Sequence, residues 1–290
     1  MKGLKIVVLA KQVPDTRNVG KDAMKADGTV NRAALPAIFN PEDLNALEQA
    51  LRIKDSLEGT TVHILTMGPG RAAEIIREAM YRGADGGYLL SDRAFAGSDT
   101  LATSYALACA LRNLKPDLII CGRQAIDGDT AQVGPQVAEK MALPQVTYAE
   151  EILSCDAQKI RIRRRLERGV ELVECPVPCV VTVNGSAAPC RPRNARRVLK
   201  YKYAKATSEA QNAGEDYFTL INQRPYLKIT EWSVNDIESD PKDLGLSGSP
   251  TKVKNIENVV FQAKEAKVLT ASDTDIEEMM KELITNHTIG

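Results

Sequence analysis

Strand-like and helix-like segments alternate through the first 140 residues, and this alternation restricts the possible folds more than any other feature. Short apolar runs, such as Lys-Ile-Val-Val-Leu-Ala over residues 5–10, are typical of strands buried in a parallel sheet. Between these runs, apolar residues recur every three to four positions, as on one face of a helix. Strands that alternate with helices across short connections predict an α/β fold with a doubly wound, Rossmann-like parallel sheet.

The helix predicted after the first strand begins at Asn40-Pro41-Glu42-Asp43. Asn40 can cap this helix, Pro41 suits its first turn, and the two acids favour its positive end. The next predicted strands are residues 61–66, 87–90 and 117–121. A loop then leads into a helix predicted to start at about Thr130, where Asp129 can serve as the cap.

Beyond Pro144 the pattern changes. Residues 159–163 and 171–175 alternate in polarity around a turn and predict a β-hairpin, and one more strand is predicted within residues 177–183. We therefore predict an α/β nucleotide-binding domain over residues 1–205, including the hairpin. Residues 206–290 contain few core residues and predict an extended C-terminal arm that needs a partner surface to order it.

Composition excludes several classes of protein. The 38 basic residues balance the 38 acidic ones, which argues against a dedicated nucleic-acid binder. No apolar run is long enough to cross a bilayer, and a cytoplasmic protein is expected. With two histidines and six scattered cysteines, neither a metal site nor a disulfide framework is expected. No serine, cysteine or histidine arrangement indicates nucleophilic catalysis, so no catalytic residue is predicted.

The zero net charge conceals a local imbalance. Residues 159–205 hold 13 basic and 3 acidic side chains, a surplus of +10, and the rest of the chain holds 25 basic and 35 acidic ones. This basic segment is best interpreted as a docking surface for protein partners.

Two segments are candidates for nucleotide binding. Gly68-Pro-Gly70-Arg-Ala-Ala73 follows a strand, opens a helix and is followed by Asp92, which imitates a dinucleotide fingerprint. Taken alone, the motif is weak, and an ordinary strand-to-helix turn is the favoured interpretation of this segment. The second candidate runs from Gly122 to Gly134 at the carboxyl end of a buried strand, where open α/β sheets bind their ligands. Free amides near Thr130 to Val133 would face phosphate oxygens, and we interpret this segment as a polar ligand loop.

At this loop the chain resembles the β subunit of electron transfer flavoproteins. The resemblance rests on Gly122-Arg-Gln-Ala-Ile-Asp127 with Gln132, on Lys11-Gln-Val-Pro-Asp15, on Asn40-Pro41 and on Met67-Gly68-Pro69. The family signature continues in the hairpin through Ile162-Arg-Arg164, Glu167, Gly169, Glu171, Val173, Pro178 and Val180-Val-Thr182. Arg168 departs from the signature, since a small or acidic residue is usual there.

The resemblance implies a nucleotide in this subunit, either structural AMP or, in the electron-bifurcating branch, a second FAD. FAD is favoured because the stretch from Asp92 to Thr100, the Pro14-Asp15-Thr16 loop and Gly128-Asp-Thr130 resemble the bifurcating branch. The implied cofactor-binding residues are Leu9, Asn40, Met67, Asp92, Thr100, Gly122, Arg123, Gln124, Ala125, Ile126, Asp127, Gly128, Asp129, Thr130, Ala131, Gln132 and Val133.

The same resemblance implies partners. An α subunit would carry the electron-shuttling FAD, and the segment from Asn184 to Lys200 would dock an acyl-CoA-type dehydrogenase. NADH would deliver electrons, and ferredoxin or flavodoxin would accept half of them. The alternatives are a non-bifurcating carrier with AMP, a free-standing NAD-dependent dehydrogenase, and a nucleotide-sensing module without a redox role.

Overall fold

The computed structural model describes residues 3–15, 36–211, 215–251, 267–286 and 288–289. The strands are β1 (Lys5–Leu9), β2 (Gln12–Pro14), β3 (Ala37–Phe39), β4 (Thr61–Met67), β5 (Gly86–Leu90), β6 (Leu118–Gly122), β7 (Gln145–Cys155), β8 (Lys159–Leu166), β9 (Gly169–Pro176), β10 (Cys179–Val183) and β11 (Thr230–Trp232). The α-helices are α1 (Pro41–Ser56), α2 (Ala73–Arg82), α3 (Thr100–Leu114), α4 (Val133–Met141), α5 (Ala195–Tyr201), α6 (Thr207–Gln211), α7 (Glu215–Gln223) and α8 (Asp273–Thr285).

Nine strands form one sheet in the order β11-β5-β4-β1-β6-β10-β7-β8-β9. All neighbours from β11 to β7 run parallel, and β8 and β9 continue the sheet in antiparallel pairing. β1 and β6, the first and fourth of the predicted parallel strands, lie side by side near the centre. This order places strands from both halves of the first 140 residues at one carboxyl edge.

Helices cover both faces of the sheet. Along β1, Ile6 and Val8 join a core that includes side chains of α1 and α2, whereas Val7 and Leu9 join a core that includes side chains of α3 and α4. Successive side chains of a strand point to opposite faces, so an uninterrupted apolar run is what a strand buried on both sides requires. The predicted α/β fold with a doubly wound sheet is confirmed.

The basic segment begins in the hairpin. β8 and β9 pair from Lys159–Pro176 to Leu166–Gly169, which confirms the predicted hairpin. Several of its cations have acidic partners on the neighbouring strand β7. Arg163 Nη1 lies 3.1 Å from Glu151, and Arg165 Nε lies 2.5 Å from Glu150. Part of the positive charge in the sequence is therefore balanced within the chain.

Residues beyond 205 supply part of this same sheet. β11 pairs with β5, and Leu227, Ile229, Ile237 and Leu244 are buried. α8 differs, since none of its residues is buried, and its side chains at Ile276, Met280 and Ile284 form an exposed apolar stripe. Within the described ranges, no helix combines the length and apolarity needed to cross a membrane.

Candidate functional site

A cavity of about 410 Å³ opens at the carboxyl ends of β1, β4 and β6. Its apolar wall includes Leu9, Leu65 and Met67 at the strand ends, together with Phe95 and Leu107. Polar groups join the lining from the end of β1, from the first turns of α1 and α3 and from residues 122–134. A largely apolar cleft with a few convergent polar groups is the usual form of a small-molecule site.

Residues 122–133, which we name the cofactor loop, follow β6 and curve around the cavity. Asp129 and Ala131 have left-handed backbone conformations, with φ of 49° and 53°. Such residues cannot continue a right-handed helix. For this reason α4 begins at Val133 and the predicted start near Thr130 is wrong. Asp129 does not cap the helix, because its carboxylate instead accepts a hydrogen bond of 2.8 Å from the Gln124 side chain.

The amino terminus of α4 forms one end of the cavity. Gln132 occupies the cap position but gives no side-chain cap, and Gln132, Val133 and Gly134 line the cavity. The first amides of a helix have no acceptor within that helix and carry the positive end of its dipole. A phosphate beside Val133 and Gly134 would accept hydrogen bonds from these amides and would be attracted by the helix dipole.

α3 also begins at the cavity, but its first turn is already satisfied. Asp99 Oδ1 accepts hydrogen bonds from the amides of Leu101 and Ala102 at 2.9 and 3.0 Å. This carboxylate offsets the positive end of α3 and repels a second anion there. The start of α4 is therefore better suited to an anion than the start of α3.

The first turn of α1 holds the cofactor loop in position. Asn40 is fully buried, its Nδ2 donates to the carbonyl of Gln124 at 2.9 Å, and its Oδ1 accepts from the Ile126 amide at 3.2 Å. Glu42 accepts from the Gln124 amide at 3.0 Å and from Arg123 Nη2 at 3.0 Å. Asn40 occupies the predicted cap position, but its side chain makes no cap hydrogen bond because the loop uses both of its polar atoms.

Asp43 joins the ends of two strands beneath the cavity. Its Oδ2 accepts from the Lys11 amide, which follows β1, and its Oδ1 accepts from the Gly122 amide, which ends β6, both at 2.9 Å. Burial raises the pKa of this carboxyl to about 7, and the two amides oppose that rise only in part. The Asp43 side chain therefore titrates near neutral pH.

The raised pKa of Asp43 predicts a pH-dependent stability. A carboxyl whose pKa is higher in the folded than in the unfolded chain stabilises the fold below the unfolded value of 3.8, and this contribution is lost as pH rises through about 7. We expect the difference in unfolding free energy between the wild type and Asp43→Asn to fall by on the order of 2 kcal/mol between pH 5 and 8. Urea unfolding across this range measures it, and parallel pH profiles for the two proteins would contradict the assignment.

Two further contacts tie the cofactor loop to other elements. Lys11 Nζ lies 2.8 Å from both carboxylate oxygens of Asp127. The Thr100 hydroxyl, at the start of α3, donates to Gln132 Oε1 at 2.9 Å. The loop is thus fastened to α1, to the end of β1 and to α3.

Most of the predicted cofactor-binding residues line this cavity. Those that line it are Leu9, Met67, Thr100, Gly122, Arg123, Gln124, Ala125, Gly128, Asp129, Thr130, Ala131, Gln132 and Val133. Asn40, Asp92, Ile126 and Asp127 lie outside the lining. Asn40, Ile126 and Asp127 hold the loop, whereas Asp92 accepts from the amides of Ala94 and Val234 at 2.9 and 3.2 Å.

Other lining residues were not predicted individually. They include Lys11, Asp43, Gly97, Ser98, Asp99, Thr103 and Gly134. Lys11 and Asp43 stand inside or next to motifs that the sequence does reveal, and Gly97 to Asp99 fall in the stretch expected beside a flavin ring. Thr16, the last residue of the Pro14–Thr16 motif, lies outside the described residues.

The dinucleotide-like turn at Gly68 to Ala73 is occupied by the chain itself. A Cβ atom added at Gly70 would lie 2.6 Å from the hydroxyl oxygen of Ser208, in α6. The space in which a pyrophosphate would approach this glycine is therefore filled. This packing disfavours the free-standing NAD-dependent dehydrogenase as an interpretation of the motif.

Comparison with known proteins agrees with the resemblance. A family model described as the electron transfer flavoprotein domain matches residues 27–209. The chain is 42% identical to the electron transfer flavoprotein subunit beta of Clostridium acetobutylicum, over 87% of this chain and 86% of the relative. It is 42% identical to the caffeyl-CoA reductase-Etf complex subunit CarD of Acetobacterium woodii, over 86% of each chain. It is 39% identical to the acryloyl-CoA reductase electron transfer subunit gamma of Anaerotignum propionicum, over 99% of this chain and 100% of the relative.

Proposed function

The chain belongs to the electron transfer flavoprotein family, and we propose that it is the FAD-binding β subunit of an electron-bifurcating heterodimer. The observation that carries this proposal is the cavity at the carboxyl ends of β1, β4 and β6, with the uncapped start of α4 at its polar end. The likeness to a subunit of a caffeyl-CoA reductase-Etf complex supports the bifurcating assignment. So does the sequence from Asp92 to Thr100.

The residues around the cavity fit a flavin nucleotide. The amides of Val133 and Gly134 would hold a phosphate, and Leu9 and Met67 offer an apolar surface for a nucleoside. Phe95 and Gly97 belong to the wall that would face a flavin ring. When bound, FAD would accept a hydride from NADH and pass on its two electrons singly, one to each acceptor.

The protein itself contributes position and electrostatics to this chemistry. Asn40, Glu42 and Asp43 hold the cofactor loop at fixed backbone amides, so little rearrangement accompanies binding. Lys11 and Arg123 bring positive charge to the lining, although each already pairs with a carboxylate. The protein would thus bind an anionic nucleotide without presenting a strongly positive surface.

We also propose the partners of this subunit. An α subunit with its own FAD would pass one electron to an acyl-CoA-type dehydrogenase, a class that the names of the relatives support. Ferredoxin or flavodoxin would take the other electron. The arm from residue 206 onwards would pack on the α subunit, for which the exposed stripe of α8 is suited. Residues 184–200, named here the docking loop, would contact the dehydrogenase, and the complex would work in the cytoplasm.

The proposal predicts the flavin content of the purified heterodimer. We expect FAD in each subunit and no AMP after denaturation, because the cavity wall formed by residues 95–100 leaves a surface for a ring system beyond the phosphate site. Chromatography of the released nucleotides, together with the protein concentration, measures the ratio. A single FAD per heterodimer with an equimolar amount of AMP would contradict the proposal.

That outcome would instead support the non-bifurcating carrier, for which one observation speaks. At the cavity, the first turn of α4 has no side-chain cap, whereas Asp99 already satisfies the first turn of α3. A site with one anion-binding end suits a monophosphate such as AMP. If the heterodimer releases no redox-active nucleotide and NADH bleaches no flavin absorbance, neither the bifurcating subunit nor the non-bifurcating carrier is supported. The remaining interpretation is then a nucleotide-sensing module.

A further inference from the structure

The docking loop is fixed to α1 by a cluster of charged and amide side chains. Asn45 Nδ2 donates to the carbonyls of Ala187 and Ala188 at 2.9 and 3.0 Å. Arg82, from α2, donates to the carbonyl of Arg191. The Asn194 amide donates to the carbonyl of Tyr81 at 2.9 Å. The backbone of this loop is therefore tied at intervals to α1 and α2.

Glu48, in the middle of α1, is the centre of the cluster. Its side chain is only 7% exposed, yet it accepts four hydrogen bonds. Three come from Arg191, whose backbone amide, Nε and Nη2 lie 3.0, 2.9 and 3.2 Å away. The fourth comes from Arg52 Nε at 3.1 Å. These bonds to the ionised form outweigh burial and lower the pKa of Glu48 below its ordinary value.

Arg191 is thereby turned inward. Its Nη1 also lies 2.7 Å from Asp55, further along α1. Arg193 and Arg196, by contrast, are exposed, and Arg193 is only partly engaged by Glu78 at 3.2 Å. One arginine of the docking loop thus acts as an anchor, and those after it remain available to an acidic partner.

We propose that Glu48 is a positioning residue that holds Arg191 and so presents the docking loop to the dehydrogenase in a single conformation. This inference rests on the proposed function of that loop. A loop ordered before the encounter costs less conformational entropy on binding. The first turn of the same helix holds the cofactor loop, so α1 also fixes the distance between the docking surface and the cofactor.

Glu48→Gln in the full heterodimer tests this proposal. Glutamine keeps the size of the side chain but cannot form the charge-assisted bonds to Arg191. We expect amide hydrogen exchange at residues 187–191 to speed up about tenfold, and the KM for an acyl-CoA dehydrogenase to rise about tenfold. The kcat at saturating dehydrogenase and the nucleotide content should stay at wild-type values. Unchanged exchange and unchanged KM would overturn the proposal.

Three further variants separate positioning from other effects. Glu58→Gln removes an exposed acid just past α1 that forms no ion pair among the described residues, and should change neither quantity. Arg191→Gln should match Glu48→Gln, and the double variant should add little, because both changes break the same contact. Additive effects would indicate general destabilisation and would overturn the proposal.

The double variant Arg193→Ala/Arg196→Ala distinguishes failure of this inference from failure of the proposed function. These side chains are exposed, so their loss should raise the KM for the dehydrogenase while hydrogen exchange at residues 187–191 stays unchanged. If this variant raises the KM and Glu48→Gln does not, the positioning role is wrong and the docking role stands. If neither changes the KM, the docking role of the loop is wrong.

Discussion

Replacing Gly122 by alanine is expected to abolish tight nucleotide binding and to destabilise the chain. A Cβ atom at this position would lie 2.5 Å from Asp43 Oδ1 and 2.7 Å from the backbone carbon of Glu42. Backbone cannot move aside as a flexible side chain can, so the first turn of α1 and the end of β6 must separate. We expect a loss of about 2–4 kcal/mol in unfolding free energy. The affinity for FAD or AMP should fall about 100-fold or more, because the cofactor loop starts at this residue.

Gly128→Ala is the matched control within the same loop. No atom lies within 4 Å of a Cβ built at Gly128, and its φ is outside the left-handed region. Because Gly128 also lines the cavity, the comparison concerns stability, and this variant should unfold at nearly the same urea concentration as the wild type. Urea unfolding measures the stability of both variants, and titration calorimetry measures the nucleotide affinity of Gly122→Ala. Equal losses in the two variants would show that the close approach at Gly122 is not the cause.

Asn40→Ala is expected to have the second largest effect on the site. The change leaves the carbonyl of Gln124 and the amide of Ile126 without their partner beneath the loop. Each unsatisfied buried group costs about 1–3 kcal/mol, so we expect about 2–4 kcal/mol of stability to be lost. Nucleotide affinity should fall about 10- to 100-fold, because the loop no longer presents its amides in fixed positions.

Asn45→Ala provides a control on the same helix. Asn45 contacts the docking loop through the carbonyls of Ala187 and Ala188 and has no contact with the cofactor loop among its hydrogen bonds. This variant should keep the wild-type affinity for nucleotide. If it loses affinity as far as Asn40→Ala does, the effect comes from damage to α1 as a whole and not from the loop contacts.

The position of the site could be predicted from the sequence because it follows from the fold. Apolar runs identified the parallel strands, and the carboxyl ends of such strands meet at one edge of the sheet. Leu9, Met67 and Gly122 therefore had to lie near one another, although they are far apart in the chain. The start of α4 at the cavity follows from the same rule.

The partners of polar side chains could not be predicted in this way. Asn40 and Asp43 match the pattern of a helix start, and this pattern relates only residues that are close in the sequence. In the structure, the partners of Asn40 lie 84 and 86 positions later and Gly122 lies 79 positions after Asp43. A sequence pattern that explains a residue locally does not indicate such contacts. The prediction that Asp129 caps α4 was wrong for a related reason, since its left-handed backbone is set by the course of the loop.

The basic segment shows the same distinction. The excess of basic residues can be counted in the sequence. The sequence does not show which of them pair with acidic residues of the same chain. Glu48 and Asp55 engage Arg191, and Glu150 engages Arg165. The charge offered to another protein is therefore smaller than the composition suggests and is concentrated on the arginines without strong partners.

Cys121, which lines the cavity, is a chemical probe for the opening of the site. Its side chain is nearly buried, and burial together with the neighbouring Asp43 raises the pKa of the thiol far above neutrality. Only the thiolate reacts with alkylating reagents, so the closed protein offers them almost no target. In a variant whose only cysteine is Cys121, the alkylation rate would report how often the site opens locally. A bound nucleotide that closes the site would slow this alkylation. Nucleotide binding could therefore be followed without measuring the absorbance or the redox state of the nucleotide.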